Sequence, residues 1–513
     1  MILELAVGLV LLAVLAIFLL KAPSHAPGLP TPPPSFFLGH YYHIDKNFDI
    51  LQDWLLAQTK LFKWKTWGLT APRLGSFSRW GGGIVISSPE NVEHVLKTAF
   101  KKYEKTDMLT ATLNELLGNG IFTSDNELWK FHRKVAVGMF SKRLLDNGTS
   151  LAMKEAQKLV VKLDECARTK TPVDLQKCFY AFTMDVFAQL AFGVEFNSQK
   201  TDHPFTVAFD TCQFICQNRF NRPLWKLQKL FQLSQDERDL AKAKVVVKRF
   251  AEEVINTKRR EVENNGRKSL GPDLISRFLD GAIQRNQEIT NKELTDVVLN
   301  FIIAGRDTTA AALSWTMFEL LQHSPASLET ARESITKATQ GKPVQGMESS
   351  DVFELINSGK LAYLKAVLSE GLRLHPSVAK DLKFAVEDDI LPDGTAVKTG
   401  MCVFYSPYIM GRNPHIWKKD PLKFDPGRWV TTTGDGGSLF KPTQEISDYA
   451  YAVFNAGPRL CLGRPLAYLE MQLILSILLP RYEFTPVKEH DGSYTQTIVA
   501  PMKGGFHVHV KRR

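Results

Sequence analysis

Ten residues near the C-terminus constrain this chain more than anything else in it. Phe454, Gly457, Arg459, Cys461 and Gly463, within FNAGPRLCLGRPLA (454–467), fit F-x-x-G-x-R-x-C-x-G. From average residue usage, five fixed positions match by chance in roughly one chain of this length per ten thousand. A lone cysteine is ordinarily a small buried hydrophobe, and Cys166, Cys178, Cys212, Cys216 and Cys402 are read that way. Cys212 and Cys216 stand one helical turn apart, but no second pair completes a metal site. Around Cys461 the reading reverses. A sulfur that ligates a metal must be a thiolate, and small residues such as Gly457 and Gly463 let backbone N–H groups point at it. Arg459, two residues away, can pair with an anionic group on a ligand.

The rest of the chain gives that motif a setting. With 513 residues, 44% hydrophobic and 23% charged, it is neither disordered, collagen-like nor a multi-span membrane protein. Six Cys exclude a disulfide scaffold. Lys+Arg exceed Asp+Glu by 64 − 54 = +10, which points to an anionic partner or membrane surface without saying which. Residues 1–20 are apolar apart from Glu4 and lack the basic start and cleavage site of a secretory signal, so a retained transmembrane anchor is expected there. Lys21 after it and Glu4 within it favour a cytosolic body. Residues 21–39 hold six prolines and should form a stiff, extended spacer.

Residues 40–513 read as one mixed domain, mainly α with a smaller β region. Ile84-Val85-Ile86 predicts a strand, Gly81-Gly82-Gly83 before it a turn, and Ser88-Pro89 a helix start. Apolar residues at three- and four-residue spacing predict helices from Trp129 to about Leu279, and a long helix runs from about Lys292 to His323 between polar loops at 261–272 and 339–350. After Arg373 short strands and turns follow, with a turn at Pro392-Asp393-Gly394. No GxGxxG after a strand, GxxxxGK[ST], HExxH or GxSxG occurs, so no nicotinamide or flavin domain is visible.

On these residues the chain resembles a cytochrome P-450, a haem-thiolate monooxygenase, over essentially its whole length, which implies that fold. The resemblance makes Cys461 the axial ligand of a haem b, with Phe454 beside it. Glu370 and Arg373 in SEGLRLHP match the family's E-x-x-R, and Arg428 in FDPGRW matches the arginine that locks the pair into a structural triad. Trp129 and Arg133 in WKFHRK match W-x-x-x-R, whose members hold a haem propionate. Arg459 should hold one too, and Lys383, ten residues after Arg373, stands where many members carry a third cation. In AGRDTTA (304–310), Asp307 and Thr308 look like the family's acid–alcohol pair, which supplies protons for O–O bond cleavage. A mid-helix Thr competes for backbone carbonyls and can bend the helix open beside the cofactor.

The resemblance also implies O2 as oxidant and electrons from NADPH through a diflavin NADPH–cytochrome reductase, with cytochrome b5 as a second donor. Lys130, Lys134, Lys142, Arg143 and Arg464 are candidate docking residues for an acidic donor. The implied location is the endoplasmic reticulum membrane, with the body facing the cytosol and no nucleic-acid partner. The stretches around Cys461, Thr308 and residues 373–395 are similar to the plant and fungal branch that hydroxylates long-chain fatty acids or alkanes at the chain end. Phe301, Ile302, Ile303, Ala304 and Val378 should line an apolar pocket, which suits an acyl chain and equally a sterol or terpene. Ala304 stands where animal ω-hydroxylases often carry an ester-forming Glu, so the haem here should be non-covalent. Ala379-Lys380 departs from the plant pattern, in which a Pro usually follows Ser-Val. Two further classes compete: a haem-thiolate isomerase or dehydratase that needs no electrons, against which Asp307 and Thr308 argue, and a non-catalytic haem sensor. The sequon Asn147-Gly148-Thr149 is read as chance.

Overall fold

The structure is a computed structural model that describes residues 28–35, 39–70, 82–201, 203–222, 225–432 and 438–513, with Gly8, Val10 and Ala13 from the N-terminal run. The expected anchor over residues 1–20 and the start of the spacer thus lie outside the described residues. Among those described, no helix is long and apolar enough to cross a membrane. The later part of the spacer is non-helical, as its prolines require, but it lies on the body. Gly68 N–H donates to Pro30 O at 2.9 Å, and His40 Nε2 bonds Pro32 O at 2.7 Å.

The helices that build the site are α1 (Asn126–Ala136), α2 (Lys142–Thr169), α3 (Leu175–Phe192), α4 (Pro204–Asn218), α5 (Gln235–Asn265), α6 (Asn291–Ile302), α7 (Thr308–Phe318), α8 (Ala362–Leu374) and α9 (Arg464–Arg481). The predicted polar loop at 261–272 begins late, because α5 runs on to Asn265 and stops at Gly266 (φ 69°). Every residue of α7 after Thr308 is buried, and a helix apolar all round belongs in the middle of a molecule. It packs on α3 and α8, with α2 and α9 completing the main core. Instead of only the short strands and turns expected after Arg373, the chain forms α9, whose residues 468–479 are all buried. Its apolar residues are continuous and show no helical stripe. Asn147, Gly148 and Thr149 sit inside α2, with Asn147 exposed and Thr149 fully buried.

Five strands make the sheet beside the site: β1 (Trp67–Thr70), β2 (Gly82–Ile86), β3 (Tyr103–Glu104), β4 (Asp381–Ala385) and β5 (Cys402–Tyr405), in the order β1-β2-β5-β4-β3. Only β2 and β5 pair in parallel. Gly82 and Gly83 were expected in a turn and are in β2, paired with Thr70 and Leu69. A Cβ on Gly83 would lie 2.8 Å from Cys402 O, so close strand approach explains the glycine. Ser88 Oγ accepts from Asn91 N–H at 3.2 Å, the expected cap.

One buried carboxylate fastens α8 to the chain beyond it. Glu370 accepts from Arg373 Nε and Nη2 (both 2.7 Å), Trp429 Nε1 (3.0 Å), Asp425 N–H (2.8 Å) and Arg428 Nε (3.3 Å). Arg373 also donates to the carbonyls of Pro421 (2.6 Å), Lys423 (2.9 Å) and Gly411. Both side chains are fully buried. Removing one partner from such a pair leaves an uncompensated charge and costs about 3–5 kcal/mol. Glu370→Ala should therefore lower the unfolding free energy by about that amount in denaturant titration, with loss of haem uptake.

Candidate active site

The predicted long helix is continuous from Asn291 to His323, and it widens into a π turn at Ile303–Asp307. Thr290 starts it with a capping box: its Oγ1 accepts from Glu293 N–H, and Glu293 Oε2 accepts from Thr290 N–H at 2.8 Å. At the π turn, Thr308 Oγ1 donates to Ala304 O at 2.8 Å, and Thr183 Oγ1 on α3 donates to Arg306 O at 2.9 Å. Hydroxyls thus serve carbonyls where the helical ladder is disturbed, which is how side chains bend a helix. A Cβ on Gly305 would lie 2.1 Å from the Phe187 ring, so the bare backbone there is filled by an aromatic face of α3.

The result is one accessible face. Ala304, Gly305 and Thr308 keep open surface, while residues 301–303, 306, 307 and 309–320 are buried. Residues 301, 304, 305 and 308 share a helix face. Of the expected pocket residues, Phe301 lies one turn along that face, and Ile302 and Ile303 pack into the core. Ala304 and Val378 have open surface. Thr308 and Asp307, adjacent in sequence, turn to different surroundings. Ser377 Oγ donates to Thr308 O at 2.6 Å, which brings residues 377–380 against the π turn. Asp307 faces α4, where Gln213 Nε2 donates to Oδ2 at 2.8 Å and Arg306 stands 3.3 Å from Oδ1. Burial outweighs Arg306 and pushes the Asp307 carboxyl up to about 6, and Oδ1 has no hydrogen-bond partner. Arg306 clamps Asp210 at 2.6 and 3.0 Å, at the edge of a cavity of about 540 Å³ between α3, α4 and the C-terminal segment.

From Ser377 the chain runs into β4, which carries Lys383 to a group of cations. Lys383, 1% exposed, contacts Asp381 at 3.1 Å. Arg459 Nη2 donates to Ser124 O at 3.1 Å and to Asp125, and its guanidinium stacks 4.5 Å over Trp129. Arg133 Nη1 donates to Leu460 O at 2.9 Å, next to Cys461. A fourth cation joins them: Lys105 Nζ donates to Phe122 O at 2.7 Å. Its sequence context, KKYEKT, reads as a solvated lysine run and gave no signal. Burial, then repulsion from Lys383, pushes Lys105 down to about 7, and burial lowers Lys383, Arg459 and Arg133 as well. Asp381 and Asp125 are the main carboxylates facing Lys105, Lys383 and Arg459, with Glu104 further off; Arg133 faces Cys461 and Arg459, and Arg459 Nε has no hydrogen-bond partner. A ligand bearing two carboxylates, as haem does, matches this donor set.

Cys461 ends the circuit. It sits at the start of α9, where the N–H groups of Gly463 and Arg464 reach its sulfur and the helix end favours negative charge. Its own N–H donates to Phe454 O at 2.9 Å, and the Phe454 ring packs 5.4 Å from Tyr468. The sulfur is surrounded by protein yet accessible, as at the floor of a cleft. Burial pushes the thiol up, with Arg133 and Arg464 pulling the other way. A metal ion would deprotonate it outright. Gly457 also meets a backbone demand: its φ is +61°, and a Cβ would lie 2.4 Å from Leu96 O. Of the other cysteines, Cys178, Cys212, Cys216 and Cys402 are buried, and no other metal-ligating cluster exists among the described residues.

A mainly helical fold with an accessible cysteine under a cationic cradle defines a haem-thiolate protein. A sequence profile of the cytochrome P450 family matches residues 72–507. The chain is 35% identical over 499 residues to cytochrome P450 704B1 of Arabidopsis thaliana, covering 91% of this chain and 92% of that one. It is 33% identical to cytochrome P450 94B1 of the same plant (99% and 96% covered) and 34% identical to cytochrome P450 monooxygenase cyp1 of Mycosarcoma maydis (89% and 71%). The chain belongs to the cytochrome P450 family. It is therefore a monooxygenase that binds haem b through a cysteine thiolate and uses O2, a redox partner and a lipophilic substrate.

Lys105 yields a prediction with opposite signs in two states. In the unfolded chain it is charged up to about pH 10, in the folded apoprotein only below about 7. The folded apoprotein binds fewer protons between those values, so its stability rises with pH there. Lys105→Met apoprotein should melt above wild type at pH 7, with the difference closing by about pH 10. The loaded variant should release haem faster than wild type to a haem acceptor, since a propionate partner is gone.

Proposed function

We propose that this protein hydroxylates long-chain fatty acids at the terminal carbon, at the endoplasmic reticulum membrane, with its body in the cytosol. The observation that carries the reading is the local likeness of three site segments, residues 304–310, 373–395 and 454–472, to the plant and fungal branch with that activity. Relatives from Arabidopsis thaliana, Pinus taeda and Mycosarcoma maydis fit the same branch. A membrane anchor in residues 1–20 would keep the site near a lipid supply. A diflavin NADPH–cytochrome reductase, with cytochrome b5 as a second donor, would dock on the basic face near Cys461, where Lys134 and Arg143 are exposed. Ala304 offers no carboxylate to the haem, so it is held non-covalently.

When bound, the haem supplies the oxidant for an unactivated C–H bond. Cys461 would ligate it, with Phe454 beside the sulfur. Lys105, Arg133, Lys383 and Arg459 would neutralise the propionates, with Trp129 as the platform under Arg459. Glu370, Arg373 and Arg428 would hold the proximal side rigid. Thr308 Oγ1, now spent on Ala304 O, would turn to donate toward the accessible face. Asp307, with an ionisation near 6 and an Oδ1 that Arg306 approaches at 3.3 Å but no hydrogen bond occupies, lines an open cavity and would restore that proton from solvent. Open surface at Ala304 and Val378 would meet the acyl chain, with Phe301 behind it and Ile302 and Ile303 supporting from the core.

The test is turnover of a fatty-acid chain-length series in microsomes with NADPH and reductase, scoring the hydroxyl position. Terminal alcohols are expected. Folded, reducible enzyme without a fatty-acid product would overturn the reading and move the search to alkanes, sterols and terpenes. Thr308→Ala should keep NADPH consumption while alcohol per NADPH falls about tenfold or more, the difference appearing as peroxide. Unchanged coupling would remove Thr308 from proton delivery.

A further inference from the structure

Lys380 is a buried cation that nothing in the fold neutralises. Its ammonium lies deep in the molecule, yet the side chain keeps part of its surface open, as a group lining an internal channel does. Its only hydrogen bond is to Gln496 Oε1, at 2.9 Å. Among the described residues no carboxylate stands within ion-pair reach, and burial alone pushes the amine down to about 8. The polar groups around it are incomplete as well. Gln496 is 4% exposed and Gln52 1%, yet Gln496 Nε2 and Gln52 Oε1 have no hydrogen-bond partner. Leaving buried polar groups unpaired costs free energy, so such a cluster points to a missing occupant.

Its position says which kind. Residues 377 and 378 bend, and residues 379 and 380 lead straight into β4, along which alternate side chains face opposite ways. Asp381 and Lys383 face the cation group beside Arg459. Lys380 and Leu382 take the other side, and Val378, in the bend just before them, is 36% exposed. Ser377, at the start of the segment, is bonded to Thr308. Gln496, on the far side of Lys380, borders a surface cavity of about 400 Å³ that also has Phe48, Phe214, Arg222 and Lys503 in its wall. Lys380 thus stands between an opening bordered by Gln496 and the segment bonded to Thr308.

We propose that Lys380, with Gln496 Nε2 beside it, is the site that binds the carboxylate of the substrate and so sets how far the chain reaches toward Thr308. This rests on the fatty-acid reading above and gives that substrate an orientation. A carboxylate there would accept from both nitrogens and complete the unpaired group. Charge-assisted bonds of this kind are worth roughly tenfold to a hundredfold in affinity.

The test is spectral titration of the reduced-CO-competent holoenzyme with palmitate and with hexadecan-1-ol, which differ only at the head group. Lys380→Met should weaken palmitate by roughly tenfold to a hundredfold and change the alcohol by less than about twofold, with Lys380→Arg restoring most of the acid affinity. Equal losses for acid and alcohol, or no loss for either, would overturn the anchor while leaving the fatty-acid reading intact, provided that wild type binds and hydroxylates palmitate. Wild type that binds neither lipid would overturn both. Alcohol binding within the same variant shows that its pocket is still formed.

Discussion

Four clustered cations, three of them gathered around Asp381 and Asp125, are the constraint around which the rest of this molecule is arranged. Lys105, Arg133, Lys383 and Arg459 come from segments far apart in the chain, and each is held by a carbonyl or carboxylate that only the folded state supplies. Their burial and mutual repulsion oppose folding. A dianionic cofactor reverses the sign, because a ligand that binds only the native state stabilises it by mass action. Folding and cofactor capture are then one process. The Glu370–Arg373 pair serves it from beneath, fixing α8 so that residues 377–383 leave it on course for the cation group.

The second constraint is the π turn at Ile303–Asp307. A regular helix would place Asp307 and Thr308 in one continuous ladder with no spare surface. The widened turn opens Ala304, Gly305 and Thr308 to one side and sends Asp307 to the other, against Gln213 and Arg306. π turns inside α-helices often mark functional positions. Here the turn separates a buried carboxyl on the side of the α3–α4 cavity from a hydroxyl on the accessible face, across one helix backbone.

Much of this was legible in the sequence, and the parts that were not have physical reasons. The ten-residue cysteine motif, the E-x-x-R pair with Arg428 and the bounds of the long helix are local patterns, and the structure brings Glu370, Arg373 and Arg428 into one hydrogen-bonded group. Lys105 left no trace, because a lysine beside other lysines looks solvated until tertiary packing buries it. The close approach of Gly457 to Leu96 could not be seen either, since Leu96 is remote in sequence. The buried helix α9 lacks the polar face that periodicity detects. Gly82 and Gly83 looked like a turn because close approach of β5 is invisible in one strand. Ala379-Lys380 stood out as an irregularity in the sequence, but that Lys380 lacks a counter-ion is a tertiary fact.

Whether Cys461 ligates the haem as a thiolate is read from the reduced–carbon monoxide difference spectrum of Cys461→Ser. Wild type should give the thiolate-type band. The variant, assembled with haem by the same cationic cradle, should lose that band together with monooxygenase turnover. A thiolate-type band that survives in the variant would contradict the assignment of Cys461 and, with it, the site described around it.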